Sequence, residues 1–227
     1  MASMGHHIPG VPEHENEPIP GLPERLPEGE AILWQGAPSW RPFAERVFRL
    51  RLLVLYFGAL VAWSVADAAA SGASLATVVA APLQSVLLAI LCLGVLALMG
   101  RVAARATLYT ITNRRVVLRI GVALPMTINI PFALIESAAV KRHGDGTEDI
   151  VLTLLRPHRV SWLALWPHVR PFRMARPEPM LRAVAAEAGA SQVLARALAA
   201  SAEAPVAAMP DAAPRPQQDA LSGAAVA

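Results

Sequence analysis

Cysteine is nearly absent from this 227-residue chain: Cys92 stands alone. A single thiol excludes an intramolecular disulfide and a thiolate-held metal cluster. Lysine is as scarce, with Lys141 the only one, so arginine carries the positive charge. Aromatics make up 5% and charged residues 16%, yet apolar residues reach 55%. Ala, Leu and Val supply that excess, and they come in blocks, as a membrane protein requires. The chain shows no Gly-rich phosphate loop, nucleophile elbow or zinc-protease pattern, so nothing supports an enzyme. Residues 1–30 lack an apolar core behind a charged start, and no cleavable signal peptide is expected.

What the chain does have is two long apolar runs. The pattern predicts membrane-spanning helices at 52–70 and 79–99. Each is long enough for a hydrocarbon core about 30 Å thick. Asp67 lies near the far end of the first, and Pro82 falls in the first turn of the second. Arg41, Arg46, Arg49 and Arg51 precede the first run, and Arg101 and Arg105 follow the second. The connection at 71–78 has neither Lys nor Arg. The positive-inside rule then places both termini in the cytoplasm. A helical hairpin buried within a soluble protein is the competing reading, which these flanking arginines disfavour. Gly58 and Gly94 offer small packing surfaces for self-association as a homodimer.

Before the first run, Pro9, Pro12, Pro18, Pro20 and Pro23 predict a disordered tail over 1–23. Residues 24–51 read as a juxtamembrane lead-in. Its Trp34 and Trp40 suit either the headgroup level or a strand packed on a soluble domain. After Arg105 the period changes to that of strands. Six are expected, at 107–112, 115–120, 126–130, 135–140, 150–155 and 160–165. Asn113-Arg114 and Gly144-Asp-Gly146 supply turns. Met180, Leu181, Val184 and Ala188 recur at helical spacing, with Gly189 as the stop. A helix there would cap the strands. Residues 191–227 read as an Ala-rich helix followed by a disordered tail. The expected fold class is an α+β membrane protein: a transmembrane hairpin plus a small β-sandwich or partly closed barrel over 105–190, capped by a C-terminal helix.

Candidate functional residues are few. His6, His7, His14, His143, His158 and His168 all fall outside the apolar runs, so neither span offers an imidazole ligand to a pigment. No cofactor or metal is expected. Asp145, Glu148 and Asp149 lack the oxygen-ligand spacing of a Ca²⁺ loop and read as a solvated hairpin tip. Arg114, Arg115 and Arg119 suit contact with anionic membrane-lipid headgroups, or simple control of topology. Nucleic acid is not an expected partner, since no aromatic stacking platform accompanies these charges. Trp162 is expected in the core. Trp166, His168, Arg170, Phe172 and Arg173 form a proline-punctuated stretch that suits a partner-binding surface, because Pro167 and Pro171 oppose regular sheet pairing.

The stretch Tyr-Thr-Ile-Thr-Asn-Arg-Arg-Val-Val-Leu-Arg-Ile-Gly at 109–121 resembles the first hairpin of bacterial pleckstrin-homology-like domains. Leu-Pro-Glu-Gly-Glu-Ala-Ile-Leu-Trp-Gln-Gly at 26–36 resembles the lead-in of membrane proteins carrying them. Three more stretches, at 19–27, 163–172 and 176–182, resemble the photosynthetic reaction-centre assembly proteins of purple bacteria. The resemblance implies a PH-like domain at 105–190. It also implies a non-enzymatic assembly factor in the bacterial inner, intracytoplasmic photosynthetic membrane. Its partners would be reaction-centre or light-harvesting core subunits. The alternative it leaves open is a general PH-like membrane module that binds anionic lipid or senses envelope state.

Overall fold

The computed structural model describes residues 26–122, 124–156 and 160–203. The tails expected at 1–23 and beyond 204, together with His6, His7, His14 and His158, lie outside the described residues.

In chain order the elements are β1 (Ile32–Gly36), α1 (Trp40–Val47), α2 (Leu50–Ala70), α3 (Leu75–Ala80), α4 (Leu83–Arg105), β2 (Leu108–Thr112) and β3 (Arg115–Ile120). They continue as β4 (Met126–Pro131), β5 (Ile135–Arg142), β6 (Thr147–Leu154), α5 (Trp162–Leu165), β7 (Met180–Ala185) and α6 (Ala190–Glu203). The strands form two antiparallel sheets, β1-β2-β3-β4 and β5-β6-β7.

The core between the sheets follows the strand period of two. Tyr109 and Ile111, Val116 and Leu118, Ile128 and Ile130, and Ile150 and Leu152 all point into it. Helix α6 closes one side with Ala190, Leu194 and Ala197, a helical stripe on the same core.

The helical segments behave differently. Helices α2 and α4 have 21 and 23 residues, about 31 and 34 Å at 1.5 Å per residue. Both segments are long and apolar enough to cross a membrane, and almost none of either is buried within the protein. Pro82 does not lie inside a helical turn as expected. It is the N-cap of α4 and separates it from α3. A Cβ at Gly58 or Gly94 would meet nothing within 4 Å, so neither glycine is used where α2 packs on α4.

The hairpin is inserted into the sheet rather than attached beside it. Gly36 at the end of β1 pairs with Tyr109 of β2, so the strands before and after the helices are neighbours. Residues 32–47 are therefore part of the domain and not a separate lead-in. Trp34 packs on the main core and its indole N–H donates to the Ala188 carbonyl (2.9 Å). Trp40 opens α1, with the Arg41 and Arg101 guanidiniums 5.3 and 5.4 Å from its ring.

Two other expectations are corrected. Residues 160–165 form no strand; Trp162–Leu165 is one helical turn. The capping helix expected around 180–189 is strand β7, and the cap is α6. A bulge explains the misreading. Asp149 faces both Arg182 and Ala183 where the β6–β7 register shifts, and Ala183 has φ 53°. The extra residue sets the core positions Leu181 and Val184 three apart, which mimics a helix.

Candidate functional site

The chemistry-bearing residues collect at the base of the helical hairpin, where α1 and the last turn of α4 meet β2 and β7. Phe43, Ala104 and Ala183 form a small second core there, flanked by Trp40, Val47 and Ala103. The Ser39 N–H donates to the Ala183 carbonyl (2.8 Å) and ties the start of α1 to β7.

A buried polar chain runs through this joint. The Thr107 hydroxyl donates to the Ala103 carbonyl (2.8 Å). Its oxygen remains free to accept from His168 Nε2, 3.1 Å away. With the proton on Nε2, His168 Nδ1 accepts from the Tyr109 hydroxyl (2.7 Å). That hydroxyl oxygen in turn accepts from the Arg182 backbone N–H (3.1 Å). One tautomer thus satisfies every group from α4 to β7. His168 is 1% exposed and its ring stacks on Phe43 at 5.3 Å. Burial, helped by the Arg182 charge, lowers its pKa from 6.5 to about 3. Burial likewise raises the Tyr109 pKa.

Beside the joint lies an open cleft of about 870 Å³ between the α1–α2 junction and the outer face of β5-β6-β7. Arg49, Arg51, Lys141 and Arg182 line it together with Leu52 and Met180. Arg46 crosses its floor to Asp145 and Asp149. Burial alone would raise the Asp145 pKa, but the Thr147 hydroxyl and N–H, then Arg46, pull it down to about 2.

Of the acidic cluster only Asp145 lies at the exposed tip; Glu148 and Asp149 are buried. Glu148 is fully buried and accepts from the Ser191 N–H (3.2 Å) and hydroxyl (3.0 Å) in the first turn of α6. Asp149 accepts from the Ala183 N–H (2.7 Å) and pairs with His143 (3.0 Å). The Gly-Asp-Gly turn hides this, because both groups are recruited from distant elements. No group of three or more His, Cys, Asp or Glu arranged to hold a metal occurs among the described residues.

The two sets of candidate residues separate. Arg119 lies opposite Leu108, next to the end of α4. Arg114 and Arg115 sit at the other end of β2, about 13 Å away along the strand at 3.3 Å per residue. Arg115 is held by Glu30 through two bonds of 2.8 and 3.0 Å. This basic hairpin therefore does not gather its three charges at one place.

Within the second set His168 is buried, so it belongs to no surface. Trp166 and Phe172 are exposed, at 48% and 89%, and Trp166 meets Phe48 edge-on at 6.4 Å. Arg170 and Arg173 both turn back onto Glu178, at 2.9 and 3.7 Å. Trp162 packs on the main core as expected. The residues that sequence reasoning did not single out are Arg49, Lys141 and Arg182, which topology alone brings together.

Two packed antiparallel sheets closed by a C-terminal helix define the domain, and the family description for the bacterial PH domain matches residues 47–165, just over half the chain. The chain belongs to the bacterial PH domain family. The family match stops short of β1, most of α1, β7 and α6, although these complete the sheets, the cap and the joint. The PH domain chain is also 40% identical over 185 residues to an uncharacterized 23.7 kDa protein in the puhA 5′ region of Rhodobacter capsulatus. That alignment covers 80% of this chain and 85% of the relative. No solved structure matches it.

Proposed function

We propose that this protein is a membrane-anchored, non-enzymatic assembly factor, the counterpart of the reaction-centre assembly protein PuhB of purple bacteria. In this reading α2 and α3–α4 cross the intracytoplasmic photosynthetic membrane as a hairpin. Both termini are cytoplasmic, and the PH domain docks reaction-centre or light-harvesting core subunits at that face.

The observation that carries the reading is the insertion of the hairpin between two paired strands. A domain clamped at both ends of its anchor keeps a set height and orientation above the lipid. That suits a platform for a neighbouring membrane complex. Helices that are apolar on every side have no stable place in water, which supports the spanning arrangement. The titratable groups of the joint are sealed from solvent, as a structural connection requires. The position of the relative beside puhA agrees with the resemblance.

Deleting the gene and measuring reaction-centre absorbance tests the role. The expected result is reduced complex at normal transcript levels; unchanged absorbance rejects it. Phe172→Ser, at an exposed position, is expected to reduce complex yield without changing the amount of the protein itself.

A further inference from the structure

The cleft at the base of the hairpin has more positive charge than its own carboxylates use. Asp145 and Asp149 are taken by Arg46, and Asp149 also by His143. Glu45 is taken by Arg51 (2.8 Å), and Arg170 is held by Glu178. Arg49, Lys141 and Arg182 remain on the cleft wall, and among the described residues no carboxylate pairs with any of them.

Arg182 is the informative member. It is only 7% exposed, one terminal nitrogen donates to the Val169 carbonyl (2.9 Å), and its Nε has no partner. A buried guanidinium N–H left unmade is costly, so this cation is held on the cleft wall at a price in stability. Burial disfavours its charge, Asp149 offsets this in part, and Arg46 and Arg49 act against it. Arg49 itself has φ 54° and ψ 39° at the N-cap of α2, a left-handed conformation costly for a non-glycine residue. Such strain collects at ligand clamps.

We propose that this cleft binds a phosphate group, carried by an anionic phospholipid headgroup or free in solution. Three cations from the α1–α2 junction, β5 and β7 converge on one space, which suits a tetrahedral anion with several acceptor oxygens. The cleft volume is ample for a headgroup. Leu52 of α2 lines the same cleft, so a lipid held there would continue along an apolar helix. The site is distinct from Arg114 and Arg115 at the far end of β2, and it does not depend on the assembly role.

The test uses the full chain, purified and delipidated in detergent. Thermal unfolding is followed while phosphatidylglycerol, phosphatidylcholine or inorganic phosphate is added at matched ionic strength. Phosphatidylglycerol is expected to raise Tm and phosphatidylcholine to leave it unchanged. Lys141 is exposed, so Lys141→Gln is expected to leave the fold intact. It and Arg49→Asn are each expected to weaken half-saturation about tenfold, the effect of losing one charge-assisted hydrogen bond. Arg114→Gln is expected to change nothing. A full effect from inorganic phosphate with the same variant dependence supports the site and assigns it to a free phosphate. The proposal is overturned if neither anion stabilises the protein. It is also overturned if stabilisation survives both cleft variants, or is lost equally in Arg114→Gln.

Discussion

His168 shows what a single side chain contributes when its surroundings allow one protonation state. Both ring nitrogens are committed, one as donor and one as acceptor, so the imidazolium has no place in the joint. Its folded pKa is about 3, against 6.5 for the free side chain. The unfolded chain therefore binds the extra proton first as pH falls. Stability from this group is fully present above about pH 6.5 and is lost progressively towards pH 3. Between pH 6.5 and 5 the loss is expected to be about 1.5 kcal/mol. Thermal unfolding in detergent across this range checks it, and His168→Asn should flatten the slope while lowering the plateau. The Asp145 carboxyl, with its pKa pulled to about 2 from 3.8, acts only below that window. None of this was visible in the chain's pattern, where a histidine between two prolines and an arginine looks like surface.

At the scale of elements, two close contacts hold the helices in place, one between α1 and α4 and one between α6 and β6. A Cβ on Gly100 would collide with the Ala44 Cβ and lie 2.9 Å from its Cα, so α1 and α4 cross only because this residue is glycine. Gly100→Ala is expected to cost about 1–3 kcal/mol through overpacking. Ala44→Gly in the same chain should restore part of it, a coupling that a double-mutant cycle in thermal unfolding would register. The second contact is Glu148 beneath α6. Glu148→Ala strands the Ser191 N–H and is expected to cost about 1–3 kcal/mol. Proteolysis at 190–203 should then quicken relative to the rest of the domain; equal protection would argue against the contact. Strands β2, β3, β4 and β6 were legible because their core residues alternate. Strand β7 was not, because a bulge at Ala183 breaks the alternation and α6 takes over the capping role.

The whole molecule is a sheet domain with a helical hairpin inserted between two paired strands. Phe48 and Gly100 come together where the helices leave the domain, with a Cβ at Gly100 only 3.5 Å from the Phe48 ring. Replacing residues 49–99 by a short Gly-Ser linker should therefore preserve the β1–β2 pairing and both cores. The expected product is a folded, water-soluble domain with the circular dichroism of mixed strand and helix, whereas the full chain stays with membranes after an alkaline wash. A linker variant that aggregates, or a full chain that washes free, would contradict this division.

Hydrophobic length and strand alternation are local properties, so the apolar hairpin and most of the strands could be read residue by residue. The partners of those elements could not. That β1 closes the sheet across the whole hairpin, that Glu148 and Asp149 turn inward, and that Arg49, Lys141 and Arg182 face one cleft all depend on contacts between distant segments. Periodicity reports which face of a segment is apolar, but not what will cover it, and here that covering creates both the buried joint and the unpaired charge beside it.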